Sequence, residues 1–196
     1  MDDDLQRIVR RVVGEALGSA SAPVPAAPSE AELQADLGRG PVAMGADHGG
    51  YNLKEELKRH LEEQSYTTID CGTHSTDAVD YPDFARAVAV LVGQGKAWRG
   101  IVVDGAGIGS SMAANKVPGV RASLCYDHAT ARNAREHNDA NVLTLGAGLI
   151  GESLAVQIVD IWLSTPFGGG RHARRVEKIM EIENRESRIE DRKSKI

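Results

Sequence analysis

The feature that most constrains this chain is an alternation running from residue 42 to residue 163. Short apolar runs take turns with segments of helical period. The runs Val42–Ala46, Tyr66–Asp70, Gly100–Val103, Val120–Cys125 and Val142–Leu145 read as five strands. A helix with Leu53, Leu57 and Leu61 on one face follows the first run. Asp80-Tyr81-Pro82 opens the next, with Asp80 as N-cap and Pro82 in the first turn. A short helix follows the turn Gly105–Gly109. Further helices are expected over about 127–137 and 152–163, and a last, charged one over about 170–195. Strands alternating with helices predict βαβ units. The expected fold is therefore α/β, a Rossmann-like three-layer sandwich with a five-stranded parallel sheet covered on both faces. Ligands in such folds sit beyond the carboxyl ends of the strands. That address holds Asp47, His48, the 71–81 loop, Asp104 and the 105–111 turn.

Composition narrows the function classes. The 196 residues suffice for one domain and a tail, not for two full domains. A net charge of −5 argues against a nucleic-acid partner. The longest apolar run, Ala87–Val92, is far too short to span a membrane. Two scattered cysteines, Cys71 and Cys125, make neither a disulfide scaffold nor a metal site.

Residues 1–37 stand apart, with seven acids against three bases. Leu5, Ile8, Val9, Val12, Val13, Ala16 and Leu17 form one apolar face at helical period, and Gly18 supplies a stop. The Pro-, Ala- and Ser-rich stretch after it cannot pack a core. The expected organisation is an amphipathic helix over 1–18, a flexible linker over 19–40 and a domain over 41–196. Arg10 and Arg11 interrupt any secretory signal, and the acids exclude a mitochondrial presequence. The chain is therefore expected in the cytoplasm. Its first helix has two readings: docking on another protein, or packing on its own domain or a symmetry mate.

The loops carry the candidate chemistry. The turn Gly105-Ala106-Gly107-Ile108-Gly109-Ser110-Ser111 offers backbone N–H groups to an anion at a helix start, or is simply a tight turn. It lacks the Lys of a P-loop and the last Gly of a dinucleotide fingerprint. Arg171 and Arg175 share a helix face four residues apart. Such a fork suits a phosphate, unless it is spent on Glu177 and Glu181. His48 stands at a strand end beside Asp47. His128 and His137, nine residues apart, fit no short metal motif.

Several strings extend the picture. They are Gly45–Lys54 (Gly-Ala-Asp-His-Gly-Gly-Tyr-Asn-Leu-Lys), Asp70–Thr73, Val79–Pro82, Gly105–Gly109, Ala113–Lys116, Arg135–Val142 and Gly169–Arg175. In unbroken order over about 41–185 they resemble the type B ribose-5-phosphate isomerases and the related galactose-6-phosphate isomerases. The resemblance implies aldose–ketose isomerisation of a phosphorylated sugar through an enediolate, without metal, nucleotide or other cofactor. It assigns substrate contacts to Asp47, His48, Tyr81 and Asn138. Gly105, Gly107, Ile108, Gly109 and Ser110 belong to the turn that stabilises the enediolate oxygen. Arg171 and Arg175 become the phosphate clamp. His137 or His128 is the ring-opening acid–base, and both are present. A homodimer, or a dimer of dimers, is implied because the family completes its site across an interface. Residues 2–17 resemble the peptides that carry enzymes to the shell of a bacterial microcompartment, which would make a shell protein a partner.

One departure stands out. Many members end the third strand with a Cys whose thiolate moves the C2 proton; this chain has Asp104. The Gly-Thr-Gly that follows becomes Gly105-Ala106-Gly107. Other members place a Glu later in the turn, where this chain reads Ser110-Ser111-Met112. A carboxylate can take over proton abstraction, and Asp104 is the expected base. The alternative is that Asp104 caps the helix or contacts substrate, leaving a weak or altered isomerase.

Overall fold

A computed structural model describes residues 40–193, with side chains to Glu183. The helix expected over 1–18 and most of the linker lie outside the described residues. Five strands and six helices follow in order. They are β1 (Val42–Ala46), α1 (Tyr51–Glu63), β2 (Thr68–Asp70), α2 (Tyr81–Gly93), β3 (Arg99–Asp104), α3 (Ile108–Ala114), β4 (Ala122–Leu124), α4 (His128–Asn138), β5 (Val142–Gly146), α5 (Glu152–Ser164) and α6 (Arg171–Lys193). All pairings are parallel and the strand order is β2-β1-β3-β5-β4. This is the expected five-stranded sandwich. β2 and β4 are shorter than their apolar runs because each is an edge strand, paired on one side only. Asp80 stands at the N-cap of α2, but its side chain makes no capping hydrogen bond.

The strands alternate between the two faces with period two. Val42, Met44, Ala46, Ile101, Val103, Leu143 and Leu145 face one way. They pack against Leu57 and Leu61 of α1, Ala131 of α4, and Ile158, Val159 and Trp162 of α5. Ala43, Val102 and Val142 face the other way, onto Ala85, Val88, Ala89 and Val92 of α2 and Ala114 of α3. Burying both faces is what a parallel sheet requires.

Every strand points the same way, so every following helix returns toward the amino end of the sheet. Residues just after a strand and residues at the end of the next helix therefore lie at opposite ends of the molecule. The order reverses between β1 and β3, which places a crevice beyond Ala46 and Asp104.

One buried ion network fixes the carboxyl end of β2. The fully buried Lys54 Nζ donates to Asp70 Oδ1 at 2.7 Å and to Oδ2 at 2.9 Å. Lys58 Nζ reaches Oδ2 at 3.0 Å, and the Gly72 amide donates to Oδ1 at 2.9 Å. Burial works against the Asp70 charge. The Lys54, Gly72 and Lys58 donors outweigh it and bring the carboxyl down from 3.8 to about 2. The unfolded chain thus takes up this proton first. The stabilisation is fully present above about pH 5 and is lost as pH falls through 3.8 toward 2, roughly 2 kcal/mol in all. Lys54 Nζ also meets Glu55 Oε1 at 2.7 Å, so we expect Asp70→Asn to cost about 2 kcal/mol near neutral pH, leaving the buried Lys54 with Glu55 as its remaining carboxylate. It should also flatten the acid limb of a urea-unfolding stability profile.

Candidate active site

The loops after β1, β2 and β3 converge at the carboxyl end of the sheet. Asp47 is 8% exposed, and its Oδ1 accepts from the Gly50 amide at 2.9 Å. His48 is exposed. Its Nδ1 lies 3.2 Å from the Val79 carbonyl and 3.3 Å from the Val79 amide, so either neutral tautomer finds a backbone partner. Nε2 has no hydrogen-bond partner among the described residues. A side chain on Gly49 would lie 3.4 Å from Asp47 Oδ1 and 3.7 Å from the Gly105 amide, so the β1 and β3 loops touch. The Tyr81 ring lies against Gly109, so a Cβ there would push aside that exposed ring. The structure thus gathers Asp47, His48, Tyr81, Asp104 and the turn at one place.

Asp104 holds that turn. It is 4% exposed, and each carboxylate oxygen accepts twice. Oδ1 takes the Ala106 amide at 2.7 Å and the Gly107 amide. Oδ2 takes the Ser110 amide at 3.1 Å and the Ser110 hydroxyl. A carboxylate has about four acceptor sites, so these donors fill it. The Gly107 and Ser110 amides expected to serve a substrate oxygen are therefore directed at Asp104. The Ile108 and Gly109 amides open α3 and have no intrahelical acceptor. They remain available to a developing oxyanion. Gly107 caps α3 with φ 76, a left-handed conformation that glycine adopts without strain.

Two anchors of the turn had no signal in the sequence. Thr144 Oγ1 donates to the Gly107 carbonyl at 2.9 Å, and Tyr126 Oη donates to the Ala106 carbonyl at 3.2 Å. Thr144 lies in β5 and Tyr126 in the loop after β4, both distant in sequence from the turn. Only the strand order brings them under the turn.

The second group of expected site residues lies elsewhere. His137 and Asn138 end α4, just before β5 begins, and so stand at the amino end of the sheet. Arg171 and Arg175 open α6 at the same end, where the Gly168 amide donates to the Glu136 carbonyl at 2.9 Å. Both guanidiniums are exposed, and neither is ion-paired with Glu177 or Glu181. The fork is free for an anion. His128 opens α4 at the carboxyl end, with Nε2 held by Gln157 Oε1 at 2.9 Å. Nine residues of helix separate His128 from His137, about 14 Å along the axis. One chain therefore cannot present both histidines to one substrate.

Neither cysteine is an activated thiolate. Burial pushes the Cys71 thiol up and carries Cys125 to about 11, so both stay protonated near neutrality. Among the described residues, no group of three His, Cys, Asp or Glu side chains is placed to hold a metal ion. None of their helices is long and apolar enough to cross a membrane.

The hydrogen bonds around Asp104 make a direct prediction. Asp104→Asn sets an amide N–H against a backbone donor and should lower stability by roughly 2–3 kcal/mol in urea unfolding. Wild-type stability in that variant would remove Asp104 as the fastening of the turn.

The chain matches known proteins along most of its length. The ribose/galactose isomerase family model covers residues 42–179. Ribose-5-phosphate isomerase B of Escherichia coli is 46% identical over 144 residues, spanning 74% of this chain and 97% of that protein. A Clostridium thermocellum ribose-5-phosphate isomerase B structure is 54% identical with a TM-score of 0.73, covering 74% of this chain and 98% of that one. The Mycoplasma genitalium ribose-5-phosphate isomerase B, solved with bound ribulose-5-phosphate, is 41% identical with a TM-score of 0.72. It covers 74% of this chain and 96% of that one. With the sheet order, the glycine turn and the arginine fork in place, the chain belongs to the ribose/galactose isomerase family.

Proposed function

We propose that this sugar-phosphate isomerase interconverts ribose 5-phosphate and ribulose 5-phosphate, at a site shared between two copies of the chain. The observation that carries this reading is the division of the site residues. A free phosphate fork and a histidine lie at one end of the sheet. A glycine turn with unpaired amides, Asp47 and His48 lie at the other. Each end holds half of what the reaction needs. The carboxyl end is also ringed by exposed apolar side chains, Tyr81, Ile108, Met112 and Leu149, a surface suited to a second copy. A homodimer, alone or paired into a dimer of dimers, would bring the amino end of one chain against the carboxyl end of the other.

The chemistry follows from that assembly. Arg171 and Arg175 bind the phosphate of the sugar. His137 moves the proton between the ring oxygen and the anomeric hydroxyl, which opens the ring. Asp47, His48, Tyr81 and Asn138 hold the hydroxyl groups of the open chain. A base at Asp104 takes the proton from C2 and returns it to C1. The Gly105, Ile108 and Gly109 amides stabilise the enediolate oxygen between the two transfers. For Asp104 to act, one of its acceptor sites must open. The Ser110 hydroxyl is the donor that rotates away without moving backbone, which makes Oδ2 the proton acceptor.

A second reading rests on the same carboxylate. With both oxygens filled, Asp104 serves the turn, and the protein is a low-turnover subunit or acts on another sugar phosphate. Assays of wild type, Asp104→Asn and Asp104→Cys with ribose 5-phosphate separate the two. The first reading predicts turnover in wild type and at least ~100-fold lower kcat in Asp104→Asn. A silent wild type with an active Asp104→Cys variant would establish the second.

For residues 2–17 we propose docking on the shell of a bacterial microcompartment, supported by their amphipathic period and the Pro-rich linker behind them. Deleting residues 1–37 should leave isomerase activity within ~2-fold and abolish co-sedimentation with a shell. Loss of folding in the truncated chain would instead make the segment part of the domain.

A further inference from the structure

The ring of His172, which follows Arg171 of the phosphate fork, lies flat on the ring of His137. The centroids are 4.2 Å apart and the planes differ by 5°. The two rings come from different helices, His137 from the last turn of α4 and His172 from the first turn of α6. Both are half-buried. The contact is the one ring-on-ring stack among the described residues, and it lies beside the anion fork.

The surroundings define what each ring can do. Asn138 Nδ2 lies 3.4 Å from both the Asn133 carbonyl and Asn133 Oδ1, beside the His137 ring. Asn133 Nδ2 then meets His137 Nδ1 at 2.9 Å. With Nδ1 accepting, the neutral His137 ring carries its proton on Nε2. Nε2 lies 3.8 Å from Glu136 Oε1, beyond hydrogen-bond reach. Its edge is therefore open to a ligand oxygen. On the other ring, Arg171 Nε approaches His172 Nε2 at 3.5 Å. Partial burial, His137, Arg171 and Arg175 all disfavour a proton on His172, against the opposing pull of Glu136. His172 is thus kept a neutral aromatic plate. A flat neutral plate stacked on the His137 ring fixes the plane of that ring.

We propose that His172 is a positioning residue for ring opening: stacked on His137, it holds the imidazole in the orientation that delivers a proton to the sugar ring oxygen and ties that orientation to the helix carrying the phosphate fork. The proposal rests on the assignment of ring opening to His137 above. It makes α6 contribute to proton transfer as well as to phosphate binding. A phosphate seated on Arg171 and Arg175 steadies the first turn of α6, and with it the plate behind the acid–base.

The two substrates allow a selective test. Ribose 5-phosphate in water is largely a closed furanose ring. Ribulose 5-phosphate is acyclic because its O5 carries the phosphate, so its conversion needs no ring opening and the open aldehyde product can close unaided. We expect His172→Ala to lower kcat with ribose 5-phosphate at least ~10-fold. KM for ribose 5-phosphate and turnover of ribulose 5-phosphate should change less than ~3-fold. His172→Phe keeps a flat face and should restore kcat with ribose 5-phosphate to within ~3-fold of wild type. Equal losses in both directions for His172→Ala, or no rescue by Phe, would overturn the proposal. His137→Asn run in parallel separates the two ideas. If it slows both directions alike, the ring-opening role of His137 is wrong and the stack has nothing to position. If it is selective for ribose 5-phosphate while His172→Ala is not, only the role of His172 falls.

Discussion

The polarity of the sheet governs everything else in this molecule. Five parallel strands force each helix to return, so the start and the end of every helix lie at opposite ends of the sheet. A five-residue strand already spans about 17 Å. The residues of the family pattern fall on both sides of that distance. Asp47, His48, Tyr81, Asp104, the glycine turn and His128 follow strands, whereas His137, Asn138, Arg171 and Arg175 end or begin segments at the amino end. No rotamer change closes such a gap. The proposed shared site answers this separation with a second copy of the chain, and the exposed Tyr81, Ile108, Met112 and Leu149 would give that copy something apolar to cover.

Within the carboxyl-end half, the turn is ordered by a charge rather than by packing. Asp104 gathers three backbone amides and a hydroxyl, while Thr144 and Tyr126 restrain the carbonyls of the same turn. A thiolate at this position is larger, softer and a weaker acceptor, and would leave several of those amides to the substrate. Asp104 therefore directs those donors to the protein rather than to a ligand.

Much of this was legible in the sequence. The alternation of apolar runs with helical segments predicted the parallel sandwich, and the strand-end rule pointed to Asp47, His48 and Asp104. The strings around them pointed to the family that the comparisons then established. What the sequence could not show depends on three-dimensional arrangement. The order β2-β1-β3-β5-β4 decides that Thr144 and Tyr126 lie under the turn. The edge positions of β2 and β4 shorten strands whose apolar runs looked longer. The saturation of Asp104 depends on where three amides point, and local composition carries no trace of it. Lys54 reads as an ordinary lysine on an amphipathic helix, yet it is fully buried on Asp70.

The shared site is tested most directly by mixing two crippled chains. His48→Ala disables the carboxyl-end half and Arg171→Ala the amino-end half. After subunit exchange, half of the dimers are mixed and each carries one intact site. The account predicts that activity returns to as much as about a quarter of wild type, although each variant alone is inactive. No recovery, with exchange verified by mass spectrometry of differently tagged chains, would place the whole site within a single chain and contradict the account.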